Sequence, residues 1–161
     1  MLFDEATICF LKSAVEKDGF LELPAQGNSM FPLIQRGDVC RFILSNPDSL
    51  EKGNIVLFHT EHGQLIAHRF LRKELIDENQ HYILKGDTNL GCDVPVKEGQ
   101  LIGKLSSIKK KDRELSVENS AANLWGMFIL SLPFLSGMLR KYLNWKNQKL
   151  WSTVWRKLTS L

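Results

Sequence analysis

The chain has 161 residues, of which 43% are hydrophobic and 24% charged, the composition of a globular domain with a real core. This composition excludes a chain dominated by disorder. The net charge of +3 is uneven, because residues 119–161 hold six of the 21 Lys and Arg residues, all four Trp residues and none of the 18 Asp and Glu residues. The shift predicts a boundary near Asn119 between a domain at 1–118 and a basic tail at 119–161.

The cysteines and the N-terminus exclude several further classes. Cys9, Cys40 and Cys92 are odd in number and form no C-x-x-C pair, so we expect structural thiols rather than a disulfide framework or a zinc site. The first residues lack a basic region before an apolar run, so no cleavable signal peptide is predicted. The sequence contains no phosphate-binding loop motif and no H-E-x-x-H. We therefore expect no cofactor, no metal and no nucleic-acid partner.

Residues 4–17 predict a short amphipathic helix, because Ile8, Leu11 and Val15 recur at near-helical spacing and Gly19 follows as a stop. From residue 20 onwards, short β-type runs are separated by Gly-containing turns. The predicted strands cover residues 20–23, 39–44, 55–59, 65–71, 81–84 and 101–108. The pattern predicts a compact, mostly antiparallel β domain that ends near residue 108 and is followed by a polar hinge at 109–114.

Residues 26–38 contain the best candidate nucleophile. Ser29 lies between a Gly-Asn pair and Pro32, whose ring fixes φ, so we expect a rigid turn that presents the serine hydroxyl. A serine needs a base and a group that orients the base. His68 is the candidate base, and Asp87 and Asp93 are candidate partners for its ring. Alone, each of these residues is also compatible with an ordinary turn or strand position.

The four short motifs around these residues resemble those of signal peptidases of the endoplasmic-reticulum and archaeal type. The matches are Ser-Met-Phe-Pro at 29–32, Gly-Asp at 37–38, His-Arg at 68–69 and Gly-Asp-Thr-Asn at 86–89, and Asp93 lies six residues beyond Asp87. Order and spacing agree over residues 25–108. The bacterial housekeeping signal peptidases and the SOS repressors share the fold but use lysine where His68 stands.

The resemblance implies a signal-peptidase/SOS-repressor-like β domain and a role for each matched residue. Ser29 would be the nucleophile, His68 the base, Asp93 the carboxylate that orients His68, and Asp87 a supporting carboxylate. Lysine-type relatives have an oxyanion-binding hydroxyl two residues before the nucleophile, where this chain has glycine. The oxyanion would then be bound by the Ser29 N–H with Asn28 or a neighbouring amide. We expect the Met30 side chain in the substrate pocket or the core.

The tail differs from the family, whose members commonly carry a membrane span before the serine motif. Residues 119–139 carry no charge and are marginally long enough to span a membrane. Beyond them, apolar residues including Trp151 and Trp155 recur at helical spacing beside Lys and Arg, which is typical of an interfacial helix. We predict a helical, membrane-associating tail; packing on the β domain or on a second copy is the alternative. The side of the membrane on which the active face lies stays open.

The sequence therefore predicts a membrane-associated serine endopeptidase that cleaves a precursor peptide or protein after a small residue, as the resemblance implies. The alternative is a non-catalytic module of the same fold that binds peptides or partner subunits. In that case the candidate triad residues would be present but misaligned.

Overall fold

The computed structural model describes residues 2–117 and 120–158, of which the side chains at 120, 121, 123 and 150–158 are left out of the description. Helix α1 (Glu5–Asp18) comes first, and eight strands follow it. The strands are β1 (Phe20–Pro24), β2 (Val39–Ile43), β3 (Ile55–His59), β4 (Leu65–Ile76), β5 (Asn79–Lys85), β6 (Val96–Lys97), β7 (Leu101–Lys110) and β8 (Arg113–Ser116). Helices α2 (Ser120–Ser131) and α3 (Pro133–Leu158) end the chain.

All strand pairs are antiparallel and join into one sheet with the order β1-β2-β7-β3-β4-β5-β6. Strand β7 is the centre of this arrangement, because β2 pairs with one of its edges while β3 and β8 share the other. The mostly β, antiparallel architecture with an N-terminal helix and C-terminal helices confirms the coarse fold prediction.

Both faces of the sheet are buried at β3. Because side chains alternate along a strand, Ile55 and Leu57 face one apolar cluster while Val56 and Phe58 face another. The first cluster also contains Val15 of α1.

Helix α1 begins where the Asp4 side chain accepts a hydrogen bond from the Thr7 N–H, and it ends at Gly19 in the left-handed conformation.

The structure corrects several predicted boundaries. The expected hinge at 109–114 is a β-hairpin instead, since β7 continues to Lys110 and Lys110 pairs with Arg113 at the start of β8. The β domain therefore extends to Ser116 rather than ending near residue 108. Strands β4 and β5 are longer than predicted, and the two-residue strand β6 was not predicted.

The three cysteines occupy two kinds of environment. Cys40 lies in the apolar core, and its burial raises the pKa of the thiol to about 12, so its side chain serves packing. Cys9 and Cys92 are exposed, and the prediction of a structural thiol is therefore wrong for these two positions.

The charge-free run at 119–139 does not form one continuous helix. Helix α2 ends at Ser131, and α3 begins at Pro133, a residue favoured at the first position of a helix. Within the described residues, no helix is both long enough and apolar enough to cross a membrane. The predicted interfacial pattern continues through residues 150–158 of α3, whose side chains lie outside the description.

Candidate active site

Ser29 lies in a tight turn within the loop that joins β1 to β2. The base of this loop is closed by backbone hydrogen bonds from Ala25 to Asp38 and from Gly37 to Ala25. Asn28 Oδ1 accepts a hydrogen bond from the Arg36 N–H at 3.0 Å, which fixes the turn beside the serine. The half-buried Ser29 therefore occupies a braced turn, as its sequence context predicts.

Met30 follows Ser29 in the same turn and packs its side chain into the apolar core. Its side chain is 3% exposed and belongs to the apolar cluster under the sheet, so it does not line the cleft beside Ser29. Only the backbone N–H of Met30 is therefore a candidate for oxyanion binding. Within the described residues, the N–H groups of Ser29 and Met30 donate to no backbone carbonyl. Both remain available to a bound oxyanion.

His68 lies on β4 and is nearly buried. Its Nδ1 lies 2.6 Å from Asp93 Oδ2, a charge-assisted hydrogen-bond distance, and its ring packs against Phe58 with centroids 6.2 Å apart. The Asp93 N–H donates to the carbonyl of Leu84 at 2.8 Å, which fixes the carboxylate at the end of β5. Asp93 is thus the carboxylate that contacts the His68 ring.

The turn at residues 86–89 connects the serine to the histidine. Thr88 donates from its backbone N–H to the Ser29 carbonyl at 2.9 Å, and its hydroxyl approaches the same carbonyl at 3.3 Å. At the start of this turn, a Cβ added to Gly86 would lie 2.8 Å from His68 Nε2. The free nitrogen of the imidazole therefore lies against a turn that is bonded directly to Ser29. Only glycine leaves room for the imidazole there.

The structure does not complete the serine–histidine contact. Among the described residues, the Ser29 hydroxyl and His68 Nε2 form no hydrogen bond with each other. Catalytic hydrogen bonds are often long in proteins without substrate and become shorter in the substrate complex. The arrangement therefore comprises one formed pair, His68 with Asp93, and a braced serine on the adjoining turn.

Asp87 has a different set of partners from the one predicted. Its carboxylate binds the buried Arg69 guanidinium through two contacts, Nε to Oδ1 at 2.7 Å and Nη2 to Oδ2 at 3.1 Å. Trp125 of α2 donates from Nε1 to Asp87 Oδ2 at 2.9 Å. The expected support of His68 by Asp87 is therefore indirect at most, through the neighbouring Arg69 on β4. Of the two candidate partners for the His68 ring, Asp93 makes the contact, and Asp87 binds Arg69 instead.

Helix α2 approaches this buried ion pair closely. A Cβ added to Gly126 would lie 2.9 Å from Arg69 Nη1, so glycine allows the helix backbone to pass over the guanidinium. Arg69 Nη1 also donates to the Gly53 carbonyl at 3.0 Å. Trp125 and Gly126 together dock α2 on the strand that carries His68.

Helix α3 lies beside the Ser29 turn. Phe31 stacks on Tyr142 with ring centroids 5.8 Å apart, and Lys85 donates to the buried Ser136 hydroxyl at 3.2 Å. Between the turn and the helix is a cavity of about 350 Å³. It is lined by Asn28, Ser29, Thr88, Asn89, Arg140, Leu143, Asn144 and Asn147.

Sequence reasoning missed the contribution of both C-terminal helices to this site. Trp125 lies 38 residues beyond Asp87, and Arg140 lies 111 residues beyond Ser29. No local pattern connects residues so far apart. Gly86 and Asn89 belong to the matched motif and could have been singled out from it.

Comparison of the sequence with models of known protein families gives no match, and comparison with curated proteins gives none either. The resemblance to signal peptidases therefore depends on the matched motifs alone.

Proposed function

We propose that this protein is a serine endopeptidase of the signal-peptidase type, with Ser29 as nucleophile, His68 as base and Asp93 as the group that orients the base. The observation that carries the proposal is the 2.6 Å contact between His68 Nδ1 and Asp93 Oδ2, beside a turn that is hydrogen-bonded to Ser29. A carboxylate on Nδ1 fixes the tautomer that leaves Nε2 as the proton acceptor.

In this mechanism the Ser29 oxygen attacks the peptide carbonyl while His68 Nε2 takes the hydroxyl proton. The N–H groups of Ser29 and Met30, which donate to no backbone carbonyl within the described residues, would bind the oxyanion of the tetrahedral intermediate together with the side chain of Asn28. His68 then returns the proton to the leaving amine, and an acyl group remains on Ser29. Water attacks this ester with His68 again as base, which releases the second product and regenerates the serine.

The substrate would be an extended segment of a precursor peptide or protein, cut after a small residue as the resemblance implies. In the described part of the chain, β1 pairs with β2 alone, so its outer edge can accept a further strand. The chain runs from β1 directly into the Ser29 loop. A segment added along β1 would therefore be directed toward the nucleophile.

We also propose that the C-terminal helices hold the protein at a membrane surface. Large apolar side chains on α2 and α3 are exposed, among them Met127, Phe134 and Met138. Residues 119–161 carry six Lys and Arg residues without an acidic residue, which suits an anionic lipid surface.

A specific observation favours a second candidate, a non-catalytic module that binds peptides or partner subunits. This observation is the missing hydrogen bond between the Ser29 hydroxyl and His68 within the described residues. In such a module the cleft beside Ser29 would hold a peptide without cutting it.

Labelling with a fluorophosphonate, together with cleavage of internally quenched peptides, distinguishes the two candidates. The proposed peptidase should form one covalent adduct and hydrolyse peptides that contain Ala, and both activities should disappear in Ser29→Ala. Ser45→Ala is the matched control, because Ser45 lies in a loop and has no place in the site. Peptide binding without an adduct and without cleavage would contradict catalysis and support the binding module.

A further inference from the structure

The cavity between the Ser29 turn and α3 has an unusual set of polar groups. Four of its lining residues are carboxamides, namely Asn28, Asn89, Asn144 and Asn147. Among the described lining residues, Arg140 is the one cation and none is acidic. Guanidinium and carboxamide N–H groups are hydrogen-bond donors that suit an anionic oxygen.

Arg140 has no competing partner in the described residues. Its guanidinium makes no ion pair and no hydrogen bond there, in contrast to Arg41, Arg69 and Arg72, which are each paired with a carboxylate. The two carboxylates of the candidate active site already have partners, since Asp93 binds His68 and Asp87 binds Arg69. The charge of Arg140 is therefore available to a ligand in the cavity.

Arg140 is held next to the nucleophile by the docking of α3. The Phe31–Tyr142 stack and the Lys85–Ser136 hydrogen bond fix the helix on both sides of Arg140 in sequence. A cavity of about 350 Å³ is at the small end of the range for ligand sites, so it has room for one or two peptide side chains. The wall that bears Arg140 thus faces the position of a peptide bound at Ser29.

We propose that this cavity is a subsite for a carboxylate of the peptide substrate, with Arg140 as its specificity-determining residue. The inference depends on the proposed peptidase function, since it names the chemistry of a group bound beside the bond that Ser29 attacks. Arg140 binds the carboxylate as a charged donor, and the carboxamides of Asn144 and Asn147 complete the donor set. The carboxylate comes from an Asp or Glu side chain near the cleaved bond or from the free C-terminus of a short substrate.

The test uses the full chain and internally quenched peptides with Ala at the cleaved position. Each flanking position in turn carries Glu, Gln or Lys, and a second series compares a free C-terminal carboxylate with its amide. At one position, kcat/KM should be about tenfold higher for Glu than for Gln, a modest ratio because Arg140 is exposed. Dependence on the C-terminal carboxylate instead would identify that group as the source.

Variants of Arg140 assign the preference to this residue. The Glu/Gln ratio should fall to about one in Arg140→Gln, persist in part in Arg140→Lys and reverse in favour of Lys peptides in Arg140→Glu. Lys141→Gln is the matched control, because Lys141 is the next cation on α3 and does not line the cavity. A wild-type protein that prefers neither Glu over Gln nor the free C-terminal carboxylate over its amide would overturn the inference, and so would a carboxylate preference that survives Arg140→Gln.

A binding measurement separates this inference from the proposed function. The Ser29→Ala protein is titrated with fluorescein-labelled Glu and Gln peptides, and the affinities are read from fluorescence anisotropy. Tighter binding of the Glu peptide that is lost with Arg140→Gln supports the carboxylate subsite, even if the wild-type protein cleaves no peptide. Equal affinities for the Glu and Gln peptides, together with equal affinities for peptides with a free C-terminal carboxylate and with its amide, overturn the subsite even if cleavage by Ser29 is established.

Discussion

His68 Nδ1 and Asp93 Oδ2 lie 2.6 Å apart, whereas both oxygens of Asp87 are bound by Arg69 and Trp125. The two aspartates of one turn-rich stretch therefore have separate functions in the fold. Asp93 can orient a base, while Asp87 neutralises a buried guanidinium.

The first prediction concerns this division between the two aspartates. Asp93→Asn should reduce turnover by a factor on the order of 10⁴, because the ring of His68 loses the group that fixes its tautomer. The free energy of unfolding should change little by comparison, since Asp93 is partly exposed. Peptide hydrolysis and urea denaturation of the same preparations provide the two measurements.

Asp87→Asn should have the opposite pattern. Removing one charge of a buried pair leaves the other uncompensated, and the expected loss is about 3–5 kcal/mol of the free energy of unfolding. A stable Asp87→Asn protein with abolished turnover would exchange the two roles and contradict the assignment.

The second prediction is the dependence of peptide hydrolysis on pH. Only a neutral imidazole accepts the Ser29 proton, so kcat/KM should be low in acid buffers and should rise to a plateau toward alkaline pH. Histidine bases lose their proton at lower pH than lysine bases, so a histidine base predicts a plateau that begins below the range in which lysine titrates. A pH series from acid to alkaline buffers with one peptide measures the profile. An activity that still increases steeply above about pH 9 would indicate a different base.

Much of the fold was predictable, because local signals coincide with the sheet. Strand β3 has the predicted bounds, since an apolar run buried on both faces lies between clear turns. The β7–β8 hairpin was missed because its tip is a run of charged residues and β8 is largely exposed, so neither periodicity nor apolar content marks it. The sequence patterns that indicate turns and buried strands therefore do not predict how a charged edge strand pairs.

The site was predictable only where residues lie within the matched motifs. The contact between His68 and Asp93 follows the motif spacing, while Asp87 has the same residue type and the same local context and yet binds Arg69. The choice between the two aspartates depends on the buried arginine and on Trp125 from α2. Such partners are set by tertiary packing, which leaves no periodic pattern in the sequence.

The third prediction is that α2 stabilises the β domain through Trp125. Trp125→Phe removes the N–H that donates to the buried Asp87 carboxylate, and hydrogen bonds to charged groups contribute about 1.5–3 kcal/mol. Trp145→Phe is the control, because Trp145 is 52% exposed. Urea denaturation should give a lower midpoint for Trp125→Phe and a nearly unchanged one for Trp145→Phe. Equal midpoints in the two variants would contradict a stabilising contact.

This contact also bears on the boundary predicted near Asn119. A protein truncated after residue 117 would lose Trp125 and the close approach of Gly126, and the Arg69–Asp87 pair would become solvated. Experiments that require a folded β domain are therefore better made with point variants of the full chain.

The fourth prediction is that the C-terminal helices bind anionic membranes. The exposed side chains of Phe134 and Met138 lie one turn apart on α3, and lipid would cover this apolar surface. Each basic residue near an anionic surface contributes about 1 kcal/mol, so binding should be partly sensitive to salt. In a flotation experiment the full chain should rise with liposomes that contain phosphatidylserine, and less with neutral liposomes.

Point variants assign this binding to the tail. Phe134→Ser combined with Met138→Ser should reduce flotation several-fold, because apolar surface is removed from the proposed contact. Leu75→Ser is the control: Leu75 is even more exposed, at 77%, but lies near the end of β4, outside the C-terminal helices. A loss of flotation in the control equal to that in the double variant would mean that binding is not localised to the tail. Failure of the wild-type protein to float would leave α2 and α3 as packing elements of the β domain, the alternative that the Trp125 and Tyr142 contacts already support.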